Sequence, residues 1–170
     1  MNQTVKESVK ESRREEEVKK AKEFVLKKYP NHSNSAYVVY HKYSDTYIMR
    51  KQTLADVGII TKETEAESEK LRQKIKEKYP EWYSNQSNGK VNDNEVLPDG
   101  LNKELKDFQD TISDLENMSL LKRTLLYPED IKEKLDKNDI PSGDVLMLIS
   151  TSLDISGITI GEEDINIEEI

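Results

Sequence analysis

The regular spacing of apolar residues between Leu101 and Leu115 is the strongest constraint on the fold. Successive members of this set are separated by four, three, four and three residues, which places them along one face of an α-helix. The pattern lasts only about two heptads, so it predicts a helix that faces a core, with a coiled coil as the alternative. The same side chains are candidates for contacts with a partner protein. They are Leu101, Leu105, Phe108, Ile112 and Leu115.

Two prolines organise the next part of the chain. A leucine-rich helical patch from Met118 to Leu126 is expected to break at Pro128, because the residue before a proline avoids the α conformation. Pro128 and Pro141 each fit the first turn of a new helix, and Gly157 suits a helix end with positive φ. The last helix is the most apolar, on a face formed by Val145, Leu146, Leu148, Ile149 and Leu153. Its candidate partner-binding residues are Val145, Leu148 and Ile149.

The first 51 residues predict a helix followed by a β-hairpin. An apolar stripe from Val18 to Tyr29 has helical spacing, and Pro30 ends it, although roughly the first 14 residues are expected to be frayed. This helix is locally basic, which is typical of a solvated helix or of a partner-binding helix. Residues 36–51 are rich in Tyr, Val and Ile, and Ser44-Asp45 supplies a turn between two strands.

The segment "TLADVGII" predicts a turn or a short helical piece that Gly58 closes. A second helix is then predicted over residues 64–78, since Thr64 and Glu67 have the spacing of a capping box. Trp82 follows this helix and is expected to anchor its end on the core.

Residues 84–100 are rich in Asn, Ser, Asp and Gly, which favours a linker or a long mobile loop. This division gives an N-terminal α/β part over 1–83, a helical part over 101–160 and a flexible acidic tail over 161–170. The predicted fold class is therefore α+β and mainly helical, with a small N-terminal β-hairpin among helices and a C-terminal helical bundle.

Composition limits the classes of function. Apolar residues make up 34% and charged residues 35% of the 170 residues, which argues against one large core. The net charge of −8 argues against general nucleic-acid binding, but it is compatible with a basic protein partner or with DNA-like charge that blocks a nucleic-acid enzyme. The chain has no cysteine, which excludes disulfides and fits a reducing cytoplasm. We expect no signal peptide and no membrane-spanning segment, because no apolar run is long enough.

Motifs for catalysis, cofactors or metals are not found. His32 lies in a Pro-Asn-His-Ser loop and His41 in the predicted hairpin, and neither has a pattern of carboxylates around it. Glu129 and Asp130 are better explained as residues that stabilise a helix N-terminus than as a general acid and base. We therefore expect a protein that is not an enzyme and that needs no cofactor or metal.

Two segments resemble a known protein family in the order of their helices, turns and strands. They are "LLKRTLLYPEDIKEKLDKNDIPSGDVLMLISTSLDISGI" and "YIMRKQTLADVGII". The first is similar to the C-terminal half of tail assembly chaperones from long-tailed bacteriophages and prophages of Gram-positive bacteria. The second is similar to an element near the N-terminal hairpin of those proteins. The matching positions are Thr53, Leu54, Asp56, Tyr127, Pro128, Ile131, Leu135, Ile140, Pro141, Gly143, Asp144, Leu148, Ile149, Ser156 and Gly157.

The resemblance implies a non-enzymatic chaperone that acts during virion assembly in the host cytoplasm. Such proteins bind the tape measure protein, keep it in solution and help to bring tail tube subunits to it; self-association is left open. The charged N-terminal helix and the predicted 64–78 helix have no counterpart in the family pattern. Two alternatives remain: an acidic mobile-element protein that inhibits a host nucleic-acid enzyme, and a structural virion component such as a connector.

Overall fold

The computed structural model describes residues 3–32, 35–41, 44–87, 97–157 and 165–170. The chain divides into two compact units. We call the first the sheet unit (Met1–Thr53 and Leu120–Ile170) and the second the helical unit (Leu54–Ser119). The predicted class, α+β and mainly helical, is confirmed. The boundary between the units differs from the predicted division at 84–100, because both ends of the chain contribute to the sheet unit.

The sheet unit is built on four antiparallel strands. β1 (Ala36–Tyr40) and β2 (Tyr47–Arg50) form the predicted hairpin, in which Val38 lies opposite Ile48. The sequence predicted neither of the two outer strands. β3 (Leu125–Tyr127) pairs with β2, and β4 (Asn166–Glu169) pairs with β1, so that the order is β3-β2-β1-β4.

Helix α1 (Gln3–Lys28) lies against one face of this sheet. It is followed by Pro30, as predicted, but it is helical from Gln3 rather than frayed over its first 14 residues. Aromatic side chains extend the packing, with the rings of Phe24 and Tyr127 5.6 Å apart. The buried cluster between helix and sheet consists of Ala21, Val25, Ala36, Val38, Ile48 and Leu126.

Two short helices complete the sheet unit. α5 (Ile131–Asp136) begins three residues after Pro128, whose carbonyl accepts a hydrogen bond from the Ile131 amide at 3.0 Å. α6 (Ser142–Ile155) begins directly after Pro141, and Gly157 follows its end with φ of +91°. The predictions for Pro141 and Gly157 are therefore confirmed. The prediction that Pro128 lies in the first turn of a helix is wrong, because residues 128–130 form a turn and α5 begins only at Ile131.

The helical unit contains α2 (Leu54–Lys78), α3 (Pro80–Ser87) and most of α4 (Leu101–Thr124). The last residues of α4 belong to the sheet unit. α2 and α4 run antiparallel, because Glu63 in the first half of α2 contacts Ser119 near the end of α4, and Lys78 at the end of α2 contacts Glu104 near the start of α4.

The two-piece interpretation of residues 53–78 is wrong. α2 passes without a break through Gly58, since a glycine in a helix costs only about 1 kcal/mol and good helix formers follow it. Thr64 is not a helix cap. It is buried in the middle of α2, where its hydroxyl donates to the carbonyls of Ile60 and Thr61, both at 3.0 Å.

Three other predictions require correction. The leucine-rich patch from Met118 to Leu126 is not a separate helix, because α4 continues to Thr124 and Leu125 begins β3. The start of the predicted 84–100 linker is helical as far as Ser87, and residues 88–96 lie outside the described part. The end of the predicted flexible tail is strand β4, whereas residues 161–164 are not described.

Candidate functional site

The apolar face of α4 is the first candidate site. Its five members point toward one side of the helix, as the spacing predicts, but they differ in burial. Leu101 is fully buried, and the other four are half-buried and keep part of their apolar surface exposed. We call these four the α4 seam. They are Leu105, Phe108, Ile112 and Leu115.

Polar contacts at both ends hold α4 against α2. At one end the Lys78 ammonium forms an ion pair with Glu104, and the Tyr79 hydroxyl donates to the same carboxylate at 3.1 Å. The hydrogen bond between Lys78 and Glu104 raises the pKa of the lysine and lowers that of the carboxyl. At the other end the Ser119 hydroxyl donates to Glu63. These contacts fix the direction of α4 while its seam stays partly open.

The second candidate site, on α6, is mostly internal. Leu148 has no exposed surface, and Val145 and Ile149 are half-buried. Leu146 was placed on the same face by the sequence, but it points toward solvent with 67% of its surface exposed. The buried side of α6 instead includes Met147, so the face is rotated from the one predicted.

Three consecutive polar residues on α6 are also buried. The hydroxyls of Ser150, Thr151 and Ser152 have no hydrogen-bond partner among the described residues. An unpaired buried hydroxyl costs about 1–3 kcal/mol, so this part of α6 is less favourable than an apolar helix would be. Sequence reasoning missed this feature because a short run of Ser and Thr is usually exposed.

Asp144, which follows Pro141 and Gly143 in the first turn of α6, anchors this helix to the sheet. Its carboxylate accepts a hydrogen bond from the Tyr47 hydroxyl at 2.7 Å and a longer one from the Asp45 amide at 3.4 Å. Burial, together with this hydrogen bond to Asp144, raises the pKa of Tyr47 far above its usual value. The side chain therefore joins the first turn of α6 to β2, which gives Asp144 a structural role.

A groove of about 370 Å³ lies in the sheet unit between α1 and the sheet. Its apolar floor includes Val18 and Tyr40, and charged groups surround it. The Arg14 guanidinium is held in place by the Ser44 carbonyl at 2.7 Å and the Thr46 hydroxyl at 2.9 Å. Because Arg14 is already engaged and the rim carries both signs of charge, the groove has no clear preference for one ligand class.

The two histidines lie in separate places, His32 in a short helical turn after α1 and His41 at the end of β1. Within the described residues, no group of three or more His, Asp or Glu side chains is arranged to hold a metal ion. None of the helices in the described part of the chain is long and apolar enough to cross a membrane.

Comparisons with known proteins give no relative for this chain: no family model, no curated protein and no solved structure matches it.

Proposed function

We propose that the chain is a non-enzymatic tail assembly chaperone that binds the tape measure protein and helps to recruit tail tube subunits in the host cytoplasm. The α4 seam is the observation that supports this proposal most directly. It is a row of half-buried apolar side chains on a two-helix pair, and a third helix could cover it.

The charges around the seam suit such a role. Asp107, Asp110 and Asp114 recur along α4 away from the seam, and all three are exposed. A protein that holds an aggregation-prone helix needs apolar surface for binding and a strong net charge that keeps the complex in solution. α4 supplies both on opposite sides of one helix.

A tape measure protein is a suitable partner in physical terms. It is a long helical chain, and its apolar stripes are exposed until tail subunits surround them. An amphipathic helix that packs along the α4 seam would bury such a stripe at spacings of three and four residues. The binding would then be mainly apolar and would resist high salt.

We assign partner contact to the α4 seam in preference to α6. Leu148 and Leu101 have no exposed surface through which to touch a partner. Val145 and Ile149 stay as secondary candidates, since each keeps part of its surface exposed.

The test is co-expression of the tagged chain with its neighbouring genes, purification with a high-salt wash, and mass spectrometry. The proposal predicts that a very long helical protein co-purifies. Phe108→Ala combined with Ile112→Ala should reduce its recovery. Leu146→Ala, which removes an exposed leucine from the sheet unit, is the matched control and should not. Far-UV circular dichroism shows whether each variant has kept its helices.

Other results would contradict the proposal. Recovery of a host nuclease or polymerase subunit that high salt removes would favour the acidic inhibitor, because binding between charged surfaces weakens with salt. Stable presence of the chain in purified particles would favour a structural virion component.

A further inference from the structure

We propose that α2 is a self-association surface, through which two copies of this chain pair in antiparallel orientation. The proposal does not depend on the proposed function, because it uses a stripe of α2 and not the α4 seam. Three features of α2 support it: the order of its charges, the apolar residues at its two ends, and the spacing between them.

The charges of α2 change sign at its middle. Residues 61–69 hold four glutamates and one lysine, whereas residues 70–78 hold five basic side chains and one glutamate. Two copies in parallel would place glutamates against glutamates. Two antiparallel copies place the acidic half of each against the basic half of the other. At physiological salt the screening length is about 8 Å, so these local contacts outweigh the repulsion between two acidic chains.

Apolar surface is exposed where α2 begins and half-exposed where it ends. Leu54 is 91% exposed and Val57 is 43% exposed. Tyr79, immediately after the last residue of α2, is half-buried, and its hydroxyl is bonded to Glu104 of α4, so only the rest of its surface is available to a second copy. Exposed Leu and Val on a helix with few buried residues mark a surface that gains free energy when it is covered.

These residues share one stripe along α2. Val57, Glu65, Ser68, Arg72 and Tyr79 are separated by eight, three, four and seven residues, which keeps them on the same side of a helix. A two-fold axis at Ser68 brings Val57 of one copy opposite Tyr79 of the other. The same axis places Glu65 beside Arg72. In this one register, apolar side chains face apolar side chains and acidic side chains lie beside basic ones.

The expected interface is small. α2 has 25 residues and is about 37 Å long, so one side of it buries on the order of 800 Å² in total when two copies pair. Stable dimers bury roughly 1,200–2,000 Å². The pairing should therefore be reversible, with a dissociation constant in the micromolar range.

The first experiment measures the mass of the full chain by analytical ultracentrifugation across the micromolar range at physiological salt. We expect the average mass to rise from one chain toward two. Arg72→Glu combined with Lys76→Glu should weaken association by roughly tenfold or more, and so should Glu65→Lys combined with Glu69→Lys. An equimolar mixture of the two variants should regain association. The control is Lys19→Glu combined with Lys132→Glu, at exposed positions of the sheet unit. It changes the net charge as much as Arg72→Glu with Lys76→Glu does, and it should associate like the wild type.

A second experiment tests the register by oxidative cross-linking. The chain has no cysteine, so a single one can be introduced without competing disulfides. Ser68→Cys lies at the proposed axis and should form a dimer rapidly. Gln73→Cys lies on the same helix but faces away from the stripe, and it should cross-link slowly.

Three outcomes would overturn the proposal. One is a chain that stays monomeric at every concentration. Another is a charge-variant mixture that does not regain association. The third is a Gln73→Cys variant that cross-links as fast as Ser68→Cys.

Discussion

The sheet unit and the helical unit are held together by different means. Among the described residues, seventeen buried hydrophobic side chains belong to the sheet unit and only two, Ile75 and Leu101, to the helical unit. The helical unit relies more on polar contacts at its ends, such as those of Glu63 and Lys78. Exposed ion pairs contribute only about 0–1 kcal/mol each, so the sheet unit must contain most of the stabilising packing.

The difference shows how one acidic chain can combine stability with available surface. The sheet unit draws its core from both ends of the sequence and buries most of its large apolar side chains, although Leu26, Leu146 and Ile167 are exposed. The helical unit is one continuous segment, and its thin core leaves apolar residues on α2 and α4 partly uncovered. Regions with few buried contacts open most easily and commonly provide binding surfaces.

Shortening one leucine in each unit should change the free energy of unfolding by very different amounts. Leu148→Ala, in the fully buried part of the sheet unit, should lower the free energy of unfolding by about 2–5 kcal/mol. Leu105→Ala, at a half-buried position of α4, should cost about 1 kcal/mol. Urea unfolding can be followed by circular dichroism and by the fluorescence of Trp82, the single tryptophan, which lies in the helical unit. Equal losses of stability in the two variants would show that the two units do not differ in how much they depend on apolar packing.

Removing one tyrosine hydroxyl from each unit compares a buried hydrogen bond with a more exposed one. Tyr47→Phe leaves the Asp144 carboxylate without its 2.7 Å donor in a buried setting, so the free energy of unfolding should fall by about 1–3 kcal/mol. Tyr79→Phe removes a 3.1 Å contact with the more exposed Glu104, and about 0.5 kcal/mol or less is expected. The measurement is urea unfolding of both variants. A larger loss for Tyr79→Phe would contradict the assignment of Asp144 as an anchor.

The contribution of Tyr47 should also depend on pH. Because its pKa is raised in the folded protein, the hydroxyl stays protonated after an unfolded tyrosine has begun to ionise near pH 10. Its stabilising effect is therefore complete below about pH 10 and declines above it, by about 1.4 kcal/mol per pH unit. The difference in unfolding free energy between wild type and Tyr47→Phe should shrink above pH 10. A constant difference would show that the native pKa of Tyr47 is not raised.

Much of the fold could be predicted from local patterns, but long-range pairing could not. The β1–β2 hairpin was predicted because strand-forming residues flank a turn in one short segment. Leu125 and Leu126 are good helix formers, yet they enter β3 because β2 offers hydrogen bonds and a buried face. β4 was missed for a related reason. Its residues are exposed and, apart from Ile167, polar, and only pairing with β1 makes them a strand.

The candidate site shows a similar limit. Spacing places the α4 seam on one face of a helix, but it cannot show how much of that face the rest of the chain covers. On α6, Leu146 and Leu148 are only two residues apart, and one is 67% exposed while the other is fully buried. The resemblance noted in the sequence singled out Asp144, but it could not show the hydrogen bond to Tyr47, which lies 97 residues away along the chain.

Replacing one glycine in each unit with alanine should change stability only slightly, and in opposite directions. Gly58 is inside α2, and a Cβ atom there would have no heavy atom within 4 Å. Gly58→Ala should therefore stabilise the helical unit by about 0.5–1 kcal/mol, because alanine loses less backbone entropy in a helix. Gly157 has φ of +91°, so Gly157→Ala should destabilise the sheet unit by about 1 kcal/mol.

Thermal unfolding, followed by circular dichroism, measures both changes. Gly58→Ala should raise the melting temperature, because alanine has a higher helix propensity than glycine. Gly157→Ala should lower it, because the turn after α6 requires a positive φ that is unfavourable for alanine. A loss of stability in Gly58→Ala would mean that the first turns of α2 are not helical in solution. In that case Val57 would not lie on the stripe that the self-association proposal requires, so this small effect also tests the surface of the helical unit.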